Sequence, residues 1–164
     1  MSNSNGVHLD ATQKAVARSE IRAVFDRYAT LARDGASFEK IAEDCFAKDA
    51  VYRLPSGDAV PPTRLSEVLQ GEEAKYIRHH VTTCDIKFVS ANEALTETEF
   101  IANTDSAAPD HWGCWKDTVR LQPDGTWKLQ DRQIQIDGGV PHGWYMKQYG
   151  KFHKAPEVSN PHSW

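Results

Sequence analysis

Apolar residues recur at intervals of three and four from residue 10 to about residue 33. Ala17, Ile21, Val24, Phe25, Tyr28, Leu31 and Ala32 fall on one stripe, which predicts an amphipathic helix. Asp10, just ahead of Ala11 and Thr12, is placed to cap its start, and Gly35 stands where a left-handed residue closes a helix. A shorter helix follows Ser37, with Phe38, Ile41, Ala42 and Cys45 on its apolar side. The period then changes. Residues 50–54 alternate as a short strand, and Pro55, Gly57, Pro61 and Pro62 mark a loop. A third helix is predicted from Leu65 to about Lys75, capped by Thr63 or Ser66. Strand patterns cover residues 79–90, 94–103, 112–122 and 126–136, the last two joined by the turn Pro123-Asp124-Gly125.

Helices first and a run of antiparallel strands afterwards predict an α+β fold rather than repeated βαβ units. Residues 1–9 are small and polar and read as a flexible arm, and residues 10–137 form one domain. In residues 138–164, Gly138, Gly139, Pro141, Gly143, Pro156 and Pro161 interrupt Trp144, Tyr145, Tyr149, Phe152 and Trp164. This composition predicts an irregular aromatic tail, either a lid over a pocket or a segment packed on the outside of the sheet.

Composition narrows the function classes. At 164 residues with 40% hydrophobic and 26% charged residues, the chain can bury a core without staples. A net charge of −4 argues against nucleic acid or an anionic membrane as the main partner. No apolar run approaches a membrane span, and the opening MSNSNGVHLDATQ lacks the basic and apolar regions of a secretory leader, so a cytoplasmic protein is expected. Cys45, Cys84 and Cys114 are odd in number and form no CxxC, and they read as small buried hydrophobes. Seven histidines include no HxH or HxxxH pair with a third ligand nearby, so no metal is expected. Nucleotide, P-loop and serine-hydrolase motifs are absent, and no cofactor is expected.

The candidate chemistry lies in Asp34, at the end of the first helix, and the pair His79-His80, at the start of the first long strand. An imidazole exchanges protons near neutral pH, and a carboxylate on its far nitrogen would fix its tautomer. Taken alone, Asp34-Gly35 is also ordinary turn chemistry. Simple alternation puts Cys84, Ile86 and Phe88 on the face of His80, not of His79, unless a bulge exchanges the two faces. His111, Trp112 and Trp115 are candidates to line a pocket or to pack in the core.

The strings RYATLARDG (27–35), FEKIAEDCFAKDAVYR (38–53), RHHVTTCDIKFVS (78–90) and DGTWKLQDRQIQIDG (124–138), in this order, resemble the SnoaL-like branch of the NTF2-like superfamily. The resemblance implies a cone, with three N-terminal helices packed on a curved, mainly antiparallel sheet. Within the superfamily the pattern is nearest to scytalone dehydratases, bile-acid 7α-dehydratases and hexachlorocyclohexane dehydrochlorinases. These pair a helix-end aspartate with a strand-start histidine, here Asp34 and His79, and Tyr52 matches a pocket tyrosine. Three features depart from the dehydratase pattern. Arg33 replaces a tyrosine, a second histidine is missing near Thr104 or Asp105, and Cys114 and Lys116 stand where serine and asparagine are found.

The resemblance implies a cofactor-free lyase of the dehydratase type acting on a small cyclic metabolite; His80, Trp112 and, from the tail read as a lid, Trp144 and Tyr145 are the candidate substrate contacts. Isomerase or cyclase activity with the same dyad, or a non-catalytic ligand-binding or assembly module, are the alternatives. A homodimer or homotrimer is the family habit.

Overall fold

The protein is described by a computed structural model over residues 9–68 and 74–150. The long helix α1 spans Ala11–Arg33. The Asp10 carboxylate accepts from the Gln13 N–H at 2.8 Å, and the Gln13 side chain accepts from the Asp10 N–H at 2.9 Å, so two of its free amides are satisfied reciprocally. Ala17, Ile21, Phe25, Tyr28 and Leu31 form its buried stripe. Asp34 is its C-cap, and Gly35 takes the left-handed turn at φ 68° that other residues rarely adopt. Helix α2, Phe38–Cys45, starts at Ser37 and runs straight into strand β1, Phe46–Arg53.

The remaining elements are β2 (Ala59–Val60), a 3-10 turn (Pro62–Arg64), α3 (Leu65–Val68), β3 (Ile77–Phe88), β4 (Glu93–Thr104), β5 (His111–Leu121), β6 (Trp127–Gly139) and α4 (Trp144–Tyr149). One six-stranded sheet has the order β2-β1-β6-β5-β4-β3; β1 runs parallel to β6 and every other neighbour is antiparallel. The α+β class and the helices-on-sheet architecture are those expected. Helix α1 lies across β3 and β6 on the inner face, over a core of Phe25, Tyr28, Trp115, Val119, Leu129 and neighbours.

Several local expectations change. Strand β1 begins at Phe46 rather than at residue 50, because Phe46, Ala47 and Ala50 are all buried and extend the alternation backward. The two-residue β2 lies inside the proline-marked loop. The third helix is described only to Val68, since residues 69–73 lie outside the described residues. Leu9, placed in the arm, packs against the core. The expected irregular tail is regular where it is described: β6 continues to Gly139, and Trp144–Tyr149 is helical because Gly143 opens the turn and no proline follows before residue 150. Phe152 and Trp164, and with them most of the expected lid, lie outside the described residues, as do residues 1–8.

The feature that places the site is a bulge in β3. Val81 pairs with Phe100 and Cys84 with Thr98, so three steps on β3 oppose two on β4. Thr82 and Thr83 are both exposed, while Ile77, His79 and Val81 join Cys84, Ile86 and Phe88 on the inner face. Helix α1 secures the distortion. The Arg22 guanidinium donates to the Val81 carbonyl at 3.2 Å and to the Thr82 carbonyl at 3.3 Å.

Candidate active site

Along the edge of the inner face, His79 of β3 pairs in register with Ala102 of β4, and Ala102 with His111 of β5. The small Ala102 side chain leaves the two imidazoles flanking it, with ring centroids 6.5 Å apart. His79 also meets Trp115 at 5.2 Å, Phe100 at 5.3 Å and Tyr28 at 6.2 Å, so its surroundings are aromatic. Its ring is only partly buried, yet its Nδ1 is shielded from water and has no hydrogen-bond partner. Burial lowers its pKa to about 3, and the nearby His111 and Arg132 add to the effect. His79 is therefore a neutral imidazole with an unused buried nitrogen.

Below this row, Tyr52 of β1, Arg132 of β6 and Asp117 of β5 form a second register row. Arg132 is fully buried and donates twice to Asp117, at 3.0 and 2.8 Å. Its guanidinium carbon lies 4.3 Å from the Tyr28 ring centroid and 4.2 Å from that of Trp115. Burial favours the neutral acid at Asp117 and raises its pKa, against the pull of Arg132. The two-pronged geometry is that of a guanidinium and a carboxylate, and we read the pair as charged. The hydroxyls of Tyr28 and Tyr52 are 2.9 Å apart, and burial holds the Tyr52 phenol well above its ordinary pKa. The Tyr52 phenol is thus held neutral, and the Tyr28 ring that shares its hydrogen bond lies against the buried cation.

The buried carboxylate of this site was not among the sequence candidates. Asp110 is fully buried and contacts His111 Nδ1 at 2.8 Å. It also accepts from the Thr104 hydroxyl and from the backbone N–H groups of Trp144 and Tyr145, anchoring the start of α4. Burial works against its ionisation, but the bonds from His111, Tyr145, Thr104 and Trp144 outweigh it and hold its pKa below the ordinary value. The adjacency Asp110-His111 was the available signal, and it means little until the strand start is known.

The expected site residues divide accordingly. His79, Tyr52, Trp144 and Tyr145 gather with His111 on or beside the inner face; Tyr145 and His111 have ring centroids 4.9 Å apart, and the Tyr145 hydroxyl is buried without a partner. His80 points to the outer face, where its Nε2 meets the Asn103 amide at 3.2 Å. Trp112 is 39% exposed on that face, next to Gly138. Neither lines this site, because the bulge turns His79 inward and strict alternation turns both of these residues away.

Asp34 is not hydrogen-bonded to His79. Its side chain is 54% exposed at the helix end and accepts from Arg33 at 2.8 Å, which lowers its pKa. Among the described residues no three His, Cys, Asp or Glu side chains converge as metal ligands would, and no helix is long and apolar enough to cross a membrane. A shallow depression of about 270 Å³ on the outer face is bordered by Leu95, Glu97, Lys116 and Gln133. It has neither of the paired imidazoles.

The profile of the SnoaL-like domain family matches residues 13–133. Among solved structures, the chain is similar to a protein assigned as a scytalone dehydratase from Novosphingobium aromaticivorans DSM 12444, with a TM-score of 0.67 and 20% identity over 80% of this chain and 91% of that one. It is similar to the hexachlorocyclohexane dehydrochlorinase LinA-type3 from Novosphingobium barchaimii LL02, with a TM-score of 0.66 and 12% identity over 80% and 93%. A third, assigned as the beta subunit of an aromatic-ring-hydroxylating dioxygenase from N. aromaticivorans DSM 12444, aligns with a TM-score of 0.60 and 17% identity over 77% and 93%. At these identities the likeness shows the fold alone. No curated protein matches significantly in sequence.

Proposed function

The chain belongs to the SnoaL-like domain family, and we propose that it is a cofactor-free lyase of the dehydratase type, acting on a small cyclic metabolite with a carbonyl near the leaving hydroxyl. The observation that carries this reading is His79: a neutral imidazole in an aromatic enclosure, with a shielded nitrogen that no protein group uses. Burial leaves this ring a weak base in the free protein, and an enolate forming beside it would offset that by stabilising the imidazolium. The buried cation and the phenols of Tyr28 and Tyr52 make the C–H more acidic by stabilising the same enolate. The C–H bond then gives its electron pair to the ring carbon framework, the C–O bond breaks, and the departing hydroxyl takes up a proton from the site and leaves as water, so that one proton is taken from carbon and one is given to oxygen. Proton and electron counts close without a redox partner.

Two of the similar structures carry names of elimination enzymes, which agrees with the proposal. Asp34 has a place in it as a carboxylate that turns from Arg33 to His79 as the imidazolium forms, since an exposed pair such as Arg33–Asp34 contributes little.

The experiment is a screen of cyclic β-hydroxy ketones for appearance of the conjugated enone. His79→Ala is expected to abolish turnover with the fold retained, and His80→Ala to leave it within about threefold, because His80 sits on the outer face. The opposite ranking overturns the assignment of the base. Products of unchanged mass would replace elimination with isomerisation or cyclisation.

A further inference from the structure

We propose that His111, oriented by Asp110, is a second catalytic residue of the inner-face site and protonates the departing hydroxyl of the substrate. The inference rests on the elimination reading above and adds to it a division of labour between two imidazoles.

Geometry carries the assignment. Asp110 is 0% exposed, and its 2.8 Å contact to His111 Nδ1 leaves Nε2 as the nitrogen free to act. The carboxylate cannot drift, because the Thr104 hydroxyl and two α4 amides hold it. Close packing adds to this: a methyl group on Gly143 would sit 2.8 Å from Asp110 Oδ2. His79 has no such partner. With ring centroids 6.5 Å apart, the two imidazoles are near enough for one small substrate to meet both.

The electrostatics assign the roles. Burial lowers the pKa of both rings, but Asp110 opposes that lowering at His111 and nothing opposes it at His79. A single proton on the pair therefore sits on His111, and its charge disfavours a second proton on His79. One ring is then acid and the other base. In the step, His79 takes the proton from carbon, the C–O electron pair stays with oxygen, and the His111 imidazolium gives that oxygen its proton, releasing water. The proton on His79 returns to His111 through the water just formed, so the enzyme ends as it began. The groups facing His111 are Asp110 beside it in sequence, His79 from β3 and Tyr145 from α4; Arg132 from β6 acts on His79.

Two measurements test this. The first titrates the ring protons of His79 and His111 by NMR in the full chain. His111 is expected to take the first proton of the pair, and Asp110→Asn to lower its apparent pKa; first protonation at His79, or no response to Asp110→Asn, overturns the proposal whatever the substrate proves to be. The second compares 3-hydroxycyclohexanone with 3-chlorocyclohexanone, whose chloride leaves without a proton. His111→Gln is expected to lower kcat on the hydroxy compound by about 10²–10⁴-fold. The loss on the chloro compound should be at least roughly tenfold smaller, whereas His79→Gln should cost both alike. Equal losses on both compounds in His111→Gln would make it a positioning residue and overturn the assignment. If wild type eliminates neither, the lyase reading falls, and the titration still decides the proton order.

Discussion

Acid charges His79, and the fold resists that charge. An unfolded histidine takes its proton near pH 6.5, whereas burial holds the folded ring neutral down to about pH 3. Between these values the unfolded chain binds a proton that the native state refuses. Stability therefore falls as pH drops through the window and is fully present above about 6.5. With a folded pKa of about 3, linkage gives a loss of about 2 kcal/mol between pH 7.5 and pH 5 from this residue alone. His111 is shifted in the same direction, and the buried carboxyls also titrate, so the measurement is a difference. Urea unfolding of wild type and His79→Gln is followed from pH 7.5 to 5. The stability gap should change by about 2 kcal/mol in favour of the variant at the acid end, roughly 1 M in midpoint. Curves that stay parallel within about 0.5 kcal/mol would show that His79 is charged or well solvated in the native state, and the base argument would fail with them.

Other outcomes follow from the same packing. Asp117→Asn strands the buried Arg132 charge and should cost about 3–5 kcal/mol in chemical denaturation, while replacing both, with Asp117→Leu and Arg132→Met, should recover most of it. Gly143→Ala pushes a methyl group against the Asp110 carboxylate. It should cost about 1–3 kcal/mol in thermal melts and lower the His111 pKa by NMR. Asp34→Asn should lower kcat by about two orders of magnitude or more, the scale of an orienting carboxylate; a change of less than about threefold would show that the carboxylate stays with Arg33.

The helices and most strands were legible because each carries its own period and its own stop: the capping residues Asp10 and Ser37, Gly35, and the turn at Asp124-Gly125 act over a few residues. His79 was legible as a candidate, and Tyr52 with it. The Asp110–His111 pair was not, because its meaning depends on α4 delivering two amides from more than thirty residues away. Nor was the buried role of Arg132, whose neighbours Tyr28, Trp115 and Asp117 come from two other elements, α1 and β5. Long-range contacts of this kind leave no local pattern.

The inward face of His79 lies between these cases, and one residue decides it. Read with strict alternation from Cys84, Ile86 and Phe88, the strand puts His80 inside; the extra residue at Thr82-Thr83 reverses the parity only for the segment that precedes it. Removing Thr82 therefore separates the two descriptions. In the bulged strand the deletion leaves Val81 and His79 inward, because it takes out the residue that the ladder does not use. In a regular strand it would exchange His80 for His79. Acylation by diethyl pyrocarbonate, mapped by mass spectrometry, should accordingly remain faster at the exposed His80 than at His79 in both wild type and the deletion. Arg22→Leu tests the clamp: losing its two carbonyl bonds should cost about 1 kcal/mol and raise His79 reactivity as the bulge loosens. Wild-type labelling that favours His79 would mean that the strand is regular, and the inner-face site would have to be rebuilt around His80.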